Sequence, residues 1–423
     1  MPFASDALAD LLRRAEVRTA LEWFRKERTW LNEQHLAICR VPAPTFLEQP
    51  RAEWMAARFR SLGWDAKLDR AGNVIATRPG RKEKGGIAVT AHLDTVLAPR
   101  TPEDIRVGGD GRMQGPGVSD NGAGLAALMA IAAVWQAHAP MDDAPGSPVL
   151  IANVGEEGEG NLSGMRYLCR NGLGSRYRGF LVLDGPNADH ITCQALGSRR
   201  FDVTITGPGG HSWNDHGVGN PVHALGRAIS LFTTRAAELE HEQQARSSFN
   251  VGIIQGGTSI NAIPAEARAK VDLRSETPQG MNLLAELLAA AVEQGAVQEN
   301  QTAVLGKVTA VVKEIGSRPA GALAEGEPLL DYLLAVDTHL GIRSQLTCSS
   351  TDANIPLSLG LPAVSIGVGG QGGGAHTPGE WYSPEGREVG LRRVFLLLCL
   401  LLEDPARNAE TFRAASRLSP QEV

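Results

Sequence analysis

Three short apolar runs in this sequence each stop at an acid or at a histidine–acid pair. The run through Gly86–Thr90 leads into Ala91-His92-Leu93-Asp94, Val149–Val154 leads into Gly155-Glu156-Glu157, and Gly179–Leu183 leads into Asp184-Gly185. A further apolar run, Asn73–Thr77, precedes them, and a helical pattern over Gly122–Ala137 opens with Ser119-Asp120, side chains that suit an N-cap. Short apolar strands that alternate with helices form parallel sheets covered on both faces. In such a sheet the C-terminal strand ends share one edge, and ligands bind there. The pattern therefore predicts that His92, Asp94, Asp120, Glu156, Glu157 and Asp184 converge.

Around residue 197 the texture changes. Arg199–Thr206 alternates apolar and polar residues, as a half-exposed strand does. A helical stretch at 221–244, strands at 249–255 and 265–274, a second helix at 279–297 and a strand at 306–315 follow. This β-α-β-β-α-β order is that of a ferredoxin-like module. Alternation of long helix and short strand then resumes with Leu329–Leu340 and Ala363–Gly367. At 423 residues the chain exceeds the size of most single cores. The fold class is α/β, with a mostly parallel sheet built from 1–196 and 316–423 and an inserted α+β domain at 197–315. The first 60 residues read as helical, in two amphipathic stretches separated by Val41-Pro42-Ala43-Pro44.

Several function classes fall away. A net charge of −6 with no Lys/Arg cluster leaves no footprint for nucleic acid. Arg81-Lys82-Glu83-Lys84 reads as a solvated turn. The longest apolar run, Val394–Leu402, is far short of the roughly 20 residues that cross a bilayer, so a buried helix is expected and no membrane partner. The N-terminal stretch does not resemble a secretory signal, and five scattered cysteines without a C-x-x-C pair suggest reduced thiols; a cytoplasmic location is expected. No G-x-S-x-G elbow occurs. The G-x-G-x-x-G at Gly367–Gly372 is a decoy for a nucleotide fingerprint, since no helix pattern follows it. Its glycines either bend the loop or let backbone N–H groups approach a substrate.

The gathered acids point to a metal. Carboxylates this close do not stay ionised together without a cation. Histidine and carboxylate ligands suit zinc, manganese or cobalt, and two ions would satisfy this many acids. In a strand, His92 and Asp94 point to one face, where a carboxylate orients an imidazole for metal binding. A second imidazole is needed; His376, after the glycine-rich stretch, suits better than His339 at the end of an apolar helix. Of the glutamates at 156, 157 and 159, Glu159 reads as solvated, and spacing does not assign the adjacent pair.

Taken in order, Ala91-His92-Leu93-Asp94-Thr95, Gly117–Gly124, Gly155-Glu156-Glu157-Gly158, Leu183-Asp184-Gly185 and Ala375–Trp381 resemble the dizinc metallopeptidase family of peptidase T, carboxypeptidase G, acetylornithine deacetylase and succinyl-diaminopimelate desuccinylase. Gly210-His211-Ser212, Asn261-Ala262-Ile263-Pro264 and Asp272-Leu273-Arg274 extend the resemblance into the inserted domain, so it covers about 40 to 400. The resemblance implies two zinc ions, with manganese or cobalt as substitutes. It makes His92 and Asp184 ligands of one ion, Glu157 and His376 of the other, and Asp120 the bridge, followed by a cis peptide to Asn121. Asp94 becomes the partner of His92 and Glu156 the general base. His211 would stabilise the oxyanion, and Asn261 and Arg274 would contact substrate. The inserted domain becomes a lid and dimerisation domain and the rest a catalytic domain. The implied activity is hydrolysis of an amide bond in a small peptide or, alternatively, an N-acyl amino acid, by a homodimer. A non-catalytic protein that binds such molecules on the same fold is the reading from another class.

Overall fold

The computed structural model describes residues 2–81, 85–138, 146–242 and 245–404. Lys82–Lys84 and the last two positions of the helix expected at 221–244 lie outside the described residues. The chain divides into two compact units, Met1–Gln194 with Ala322–Val423, and Ala195–Gly321.

In the first unit, strands Pro148–Asn153, Ile87–His92, Gly179–Leu183 and Ala363–Ile366 lie side by side and run parallel. Every residue of these four strands is buried, as parallel strands packed on both faces must be. Antiparallel strands extend the sheet outward, Asp65–Leu68 and Val74–Thr77 on one side and His190–Ala195 on the other. Helix Gly122–His138 is apolar all round and buried along most of its length, which only a core helix tolerates. It packs against Ala15–Lys26, Arg28–Cys39 and Arg387–Glu403. Trp135 and Phe395 meet edge-on at 5.8 Å, and the Trp64 indole N–H donates to the Ala132 carbonyl at 3.0 Å.

The N-terminal region holds four helices, Pro2–Arg13, Ala15–Lys26, Arg28–Cys39 and Gln49–Ser61, where the apolar pattern suggests two. Breaks at Arg14 and Glu27 divide one continuous amphipathic pattern without proline or glycine, so sequence periodicity passes over them. A second small sheet is also missed: Arg106–Val107, Met113–Gln114, Trp381–Ser383 and Gln371–Gly373 pair antiparallel. Strands of two or three residues are too short to carry a period.

The second unit is a four-stranded antiparallel sheet in the order Ser247–Gly256, Glu266–Ser275, Gly197–Thr206, Thr309–Arg318, with helices Pro221–Glu242 and Pro278–Thr302. Along Glu266–Ser275 the burial alternates: Ala267, Ala269, Val271 and Leu273 enter the helix-covered core. The opposite face carries charges, among them Arg200, which lies across from Asp272 and pairs with it at 3.3 Å.

No helix among the described residues is long and apolar enough to cross a membrane.

Candidate metal centre

Three parallel strands end at one edge, and the turns beyond them deliver the polar groups. His92 is the last residue of its strand, Glu156 and Glu157 follow Asn153 by three and four residues, and Asp184 follows Leu183 directly. Asp120 arrives on the loop before helix Gly122–His138, and His376 on the loop between strands Gln371–Gly373 and Trp381–Ser383. Three groups of ligand atoms, each within 4.8 Å of one another, result: His92, Asp120 and Asp184; Asp120, Glu157 and His376; and His92, Glu156 and Glu157.

Asp120 is shared by the first two groups. Its Oδ1 lies 3.1 Å from His92 Nε2 and its Oδ2 lies 3.0 Å from His376 Nε2. His376 Nε2 is also 2.9 Å from Glu157 Oε1, and His92 Nε2 is 3.9 Å from Asp184 Oδ1. Both imidazoles thus turn the same nitrogen toward one carboxylate, from opposite sides. This set of two imidazoles and several carboxylates is a hard-to-borderline donor set that fits zinc, manganese or cobalt ions.

The histidines and acids shift one another. Burial disfavours a charge on His92, yet Asp120 and Asp94 overcome it and hold its pKa well above the ordinary imidazole value. Hydrogen bonding to Asp120, with Glu157 beside it, raises His376 to about 9. Asp120 is lowered, since its bonds to the two histidines outweigh its burial. Burial pushes Glu157 up. The arrangement attracts positive charge, which is the property a metal site needs.

Asp94 reaches His92 as expected and makes further contacts. It lies past the strand end, and His92 Nδ1 is closer to the Asp94 carbonyl, at 3.0 Å, than to its carboxylate, at 3.6 Å. The carbonyl contact calls for a proton on Nδ1, so Nε2 is the nitrogen that a metal ion would take. The buried carboxylate accepts the backbone N–H groups of Glu156 and Glu157 at 3.0 and 2.9 Å, and the Thr45 hydroxyl at 3.0 Å. Asp94 therefore fixes the turn on which both glutamates stand. The glycine before them is required: Gly155 has φ +67°, and a Cβ there would lie 2.1 Å from Ser163 Oγ. Glu159 is exposed, as its solvated reading requires.

The loop carrying Asp120 is held from several sides. The helix cap is Asn121 rather than Ser119 or Asp120: its Oδ1 accepts from Gly124 N at 3.1 Å and Gly185 N at 3.2 Å, and its Nδ2 donates to the Leu183 carbonyl at 2.8 Å. The peptide bond between Asp120 and Asn121 is cis. Glu380, only 3% exposed, accepts the N–H groups of Gly117, Ser119 and Asp120 at 2.8, 2.7 and 2.8 Å. Four residues after His376, Glu380 thereby ties the two loops together. Its place in the Ala375–Trp381 motif was the only available signal, because the contact spans about 260 residues of sequence. Asn153 was missed as well; its side-chain amide donates to Asp352 at 2.6 Å. The glycine-rich stretch bends its loop, and the Tyr382 hydroxyl donates to the Gly369 carbonyl at 2.9 Å.

His211, Asn261 and Arg274 belong to the second unit. There His211 pairs with Ala262 across two short strands, and Ser212 N–H donates to the Asn261 carbonyl at 3.0 Å, so His211 and Asn261 are neighbours. The His211 Nδ1 faces the N–H of Trp213 at 3.2 Å and accepts from it. The proton then resides on Nε2, a donor on an exposed ring. Arg274 Nε donates to Asp272 at 2.8 Å.

Comparison with known proteins is consistent with this geometry. A family model described as a peptidase dimerisation domain matches residues 195–300, and one described as peptidase family M28 matches 73–203. An uncharacterised protein of Bacillus subtilis, YqjE, is 26% identical over 352 residues, covering 80% of this chain and 90% of that one. The cytosol non-specific dipeptidase of Escherichia coli is 28% identical over 269 residues, 56% of this chain and 52% of its own length. Among solved structures, the aminopeptidase PepT of Bacillus cereus superposes with a TM-score of 0.71 at 21% identity, covering 88% of this chain and 98% of that one, which shows the shared fold.

Proposed function

We propose that this chain, a hydrolytic enzyme of the metallopeptidase family that includes peptidase T, cleaves amide bonds in small peptides. The observation that carries the reading is Asp120, one carboxylate flanked by two imidazole–carboxylate groups, with Glu156 in reach of His92 and Glu157. His92 and Asp184 would hold one metal ion, Glu157 and His376 the other, and Asp120 would touch both. Two such ions supply Lewis acidity toward the amide carbonyl and lower the pKa of water.

The chain's own residues supply the rest. Glu156 takes the proton of the attacking water and delivers it to the leaving amine nitrogen. Its backbone is fixed by Asp94, so its carboxylate has a defined origin. His211 offers its Nε2–H to the carbonyl oxygen as negative charge develops there. Asn261, beside His211, and Arg274 would bind the substrate; Arg274 would have to exchange Asp272 for a substrate carboxylate. Homodimer formation belongs to the same proposal, supported by the dimerisation-domain match over 195–300. A light-scattering mass of one chain would remove it.

A panel of dipeptides, tripeptides and N-acyl amino acids, assayed with zinc, manganese and cobalt, tests the reading. The expected result is turnover of unblocked peptides that a chelator abolishes and added metal restores. Turnover confined to N-acyl amino acids would select a deacylase instead. Full activity after chelation would overturn the metal mechanism.

A further inference from the structure

We propose that the outer face of the small antiparallel sheet is a subsite for a carboxylate-bearing part of the substrate, such as an acidic side chain or a dicarboxylic acyl group. The inference rests on the amide-hydrolase reading above and extends it to substrate class. Two cross-strand pairings align three side chains in one row: Arg106 lies opposite Gln114, and Gln114 opposite Trp381. Directly opposed residues of antiparallel strands project to the same face. The alternate row, Met113 and Tyr382, is buried on the other face. Arg106, Gln114 and Trp381 accordingly line a cavity of about 720 Å³, together with Arg100 and Arg112.

The cavity borders both ligand loops. Gly115 and Pro116 in its lining lead into the Asp120 loop, and Pro378, Gly379 and Glu380 follow His376. Its chemistry selects an anion. Three arginines line it with the acids Glu103, Asp104 and Glu380, the last occupied by the backbone N–H groups of Gly117, Ser119 and Asp120. Asp104 Oδ2 already accepts the backbone N–H groups of Arg100 and Thr101 at 2.7 and 3.1 Å. Arg112 lies over the Trp381 ring at 4.3 Å, with Asp110 3.5 Å from its Nε. Arg106 Nε donates to Gln114 Oε1 at 3.3 Å. Stacking and that side-chain bond orient two forks of donors, and a fork of this kind takes a carboxylate in bidentate fashion.

Two measurements on the metal-loaded protein test the subsite. The first compares kcat/KM for peptide pairs that differ only in carrying glutamate or glutamine at one position. The wild type should favour the acid by about tenfold, as one charge-assisted pair provides, and the ratio should fall toward one in R106Q/R112Q. The second is calorimetric titration with glutarate, which needs no turnover. Its affinity should fall about tenfold or more in the same double variant. Acid preference or glutarate affinity that survives both substitutions overturns the subsite. If no substrate is turned over yet glutarate binding still depends on the two arginines, the subsite stands and the amide-hydrolase reading fails.

Discussion

Asp94 shows how a residue can be placed correctly and still have only part of its contacts foreseen. The sequence pairs it with His92 through a two-residue spacing, and that pair forms at 3.6 Å, but the same carboxylate also takes the N–H groups of Glu156 and Glu157. Those groups come from a segment some 60 residues away, which no local pattern reveals. Glu380 is the parallel case at the opposite loop. Glu380→Gln would exchange one acceptor oxygen for an amide that cannot accept from a backbone N–H, leaving a buried donor unpaired at about 1–3 kcal/mol. Metal affinity, read by competition with a chromogenic chelator, should drop about tenfold or more, as it does when a ligand's support is lost. An unchanged affinity would show that Glu380 does not position Asp120. His376 gives a pH prediction for the metal-free protein. Its folded pKa of about 9 exceeds the ordinary imidazole value of 6.5, so its stabilising contribution is complete below about 6.5 and disappears as pH rises through 9. The melting temperature of the metal-free wild type should decline across that interval, and His376→Gln should flatten the decline. Parallel curves for the two proteins would contradict the assignment.

At the scale of elements, the central strands were legible because parallel strands covered on both faces must be apolar throughout. Gly179–Leu183 was read to the residue, and the ferredoxin-like order from the alternation along Arg199–Thr206 and 265–274. The short strands around Trp381 were not, although they carry the His376 loop and the proposed carboxylate subsite. Helix pairing was equally hidden. Arg393 and Asp337, both buried, form a two-pronged ion pair at 2.6 and 2.7 Å that joins Pro328–Leu340 to Arg387–Glu403. Arg393→Met leaves Asp337 as an uncompensated buried charge and should destabilise the fold by about 3–5 kcal/mol in urea unfolding. Adding Asp337→Leu should recover most of that loss, since a well-packed apolar pair replaces a buried ion pair at little cost. A double variant as unstable as the single one would refute this account of the pair.

For the whole molecule, composition set the exclusions and motif order set the site. An acidic chain with no basic cluster pointed away from nucleic acid, and the ordered acids and histidines named six side chains that the fold gathers within short reach of one another. What composition and order could not specify was which neighbour each group meets, because those contacts depend on loops that join distant segments. The division of labour between Glu156 and Glu157 remains the claim on which the mechanism turns: one holds metal, the other carries a proton. It is tested most directly by measuring metal content and turnover on the same samples of wild type and Glu156→Gln. The account predicts two ions per chain in both proteins and a loss of turnover in the variant of about 10² or more, the scale of a removed general base. Loss of an ion from Glu156→Gln, or turnover close to that of the wild type, would contradict it.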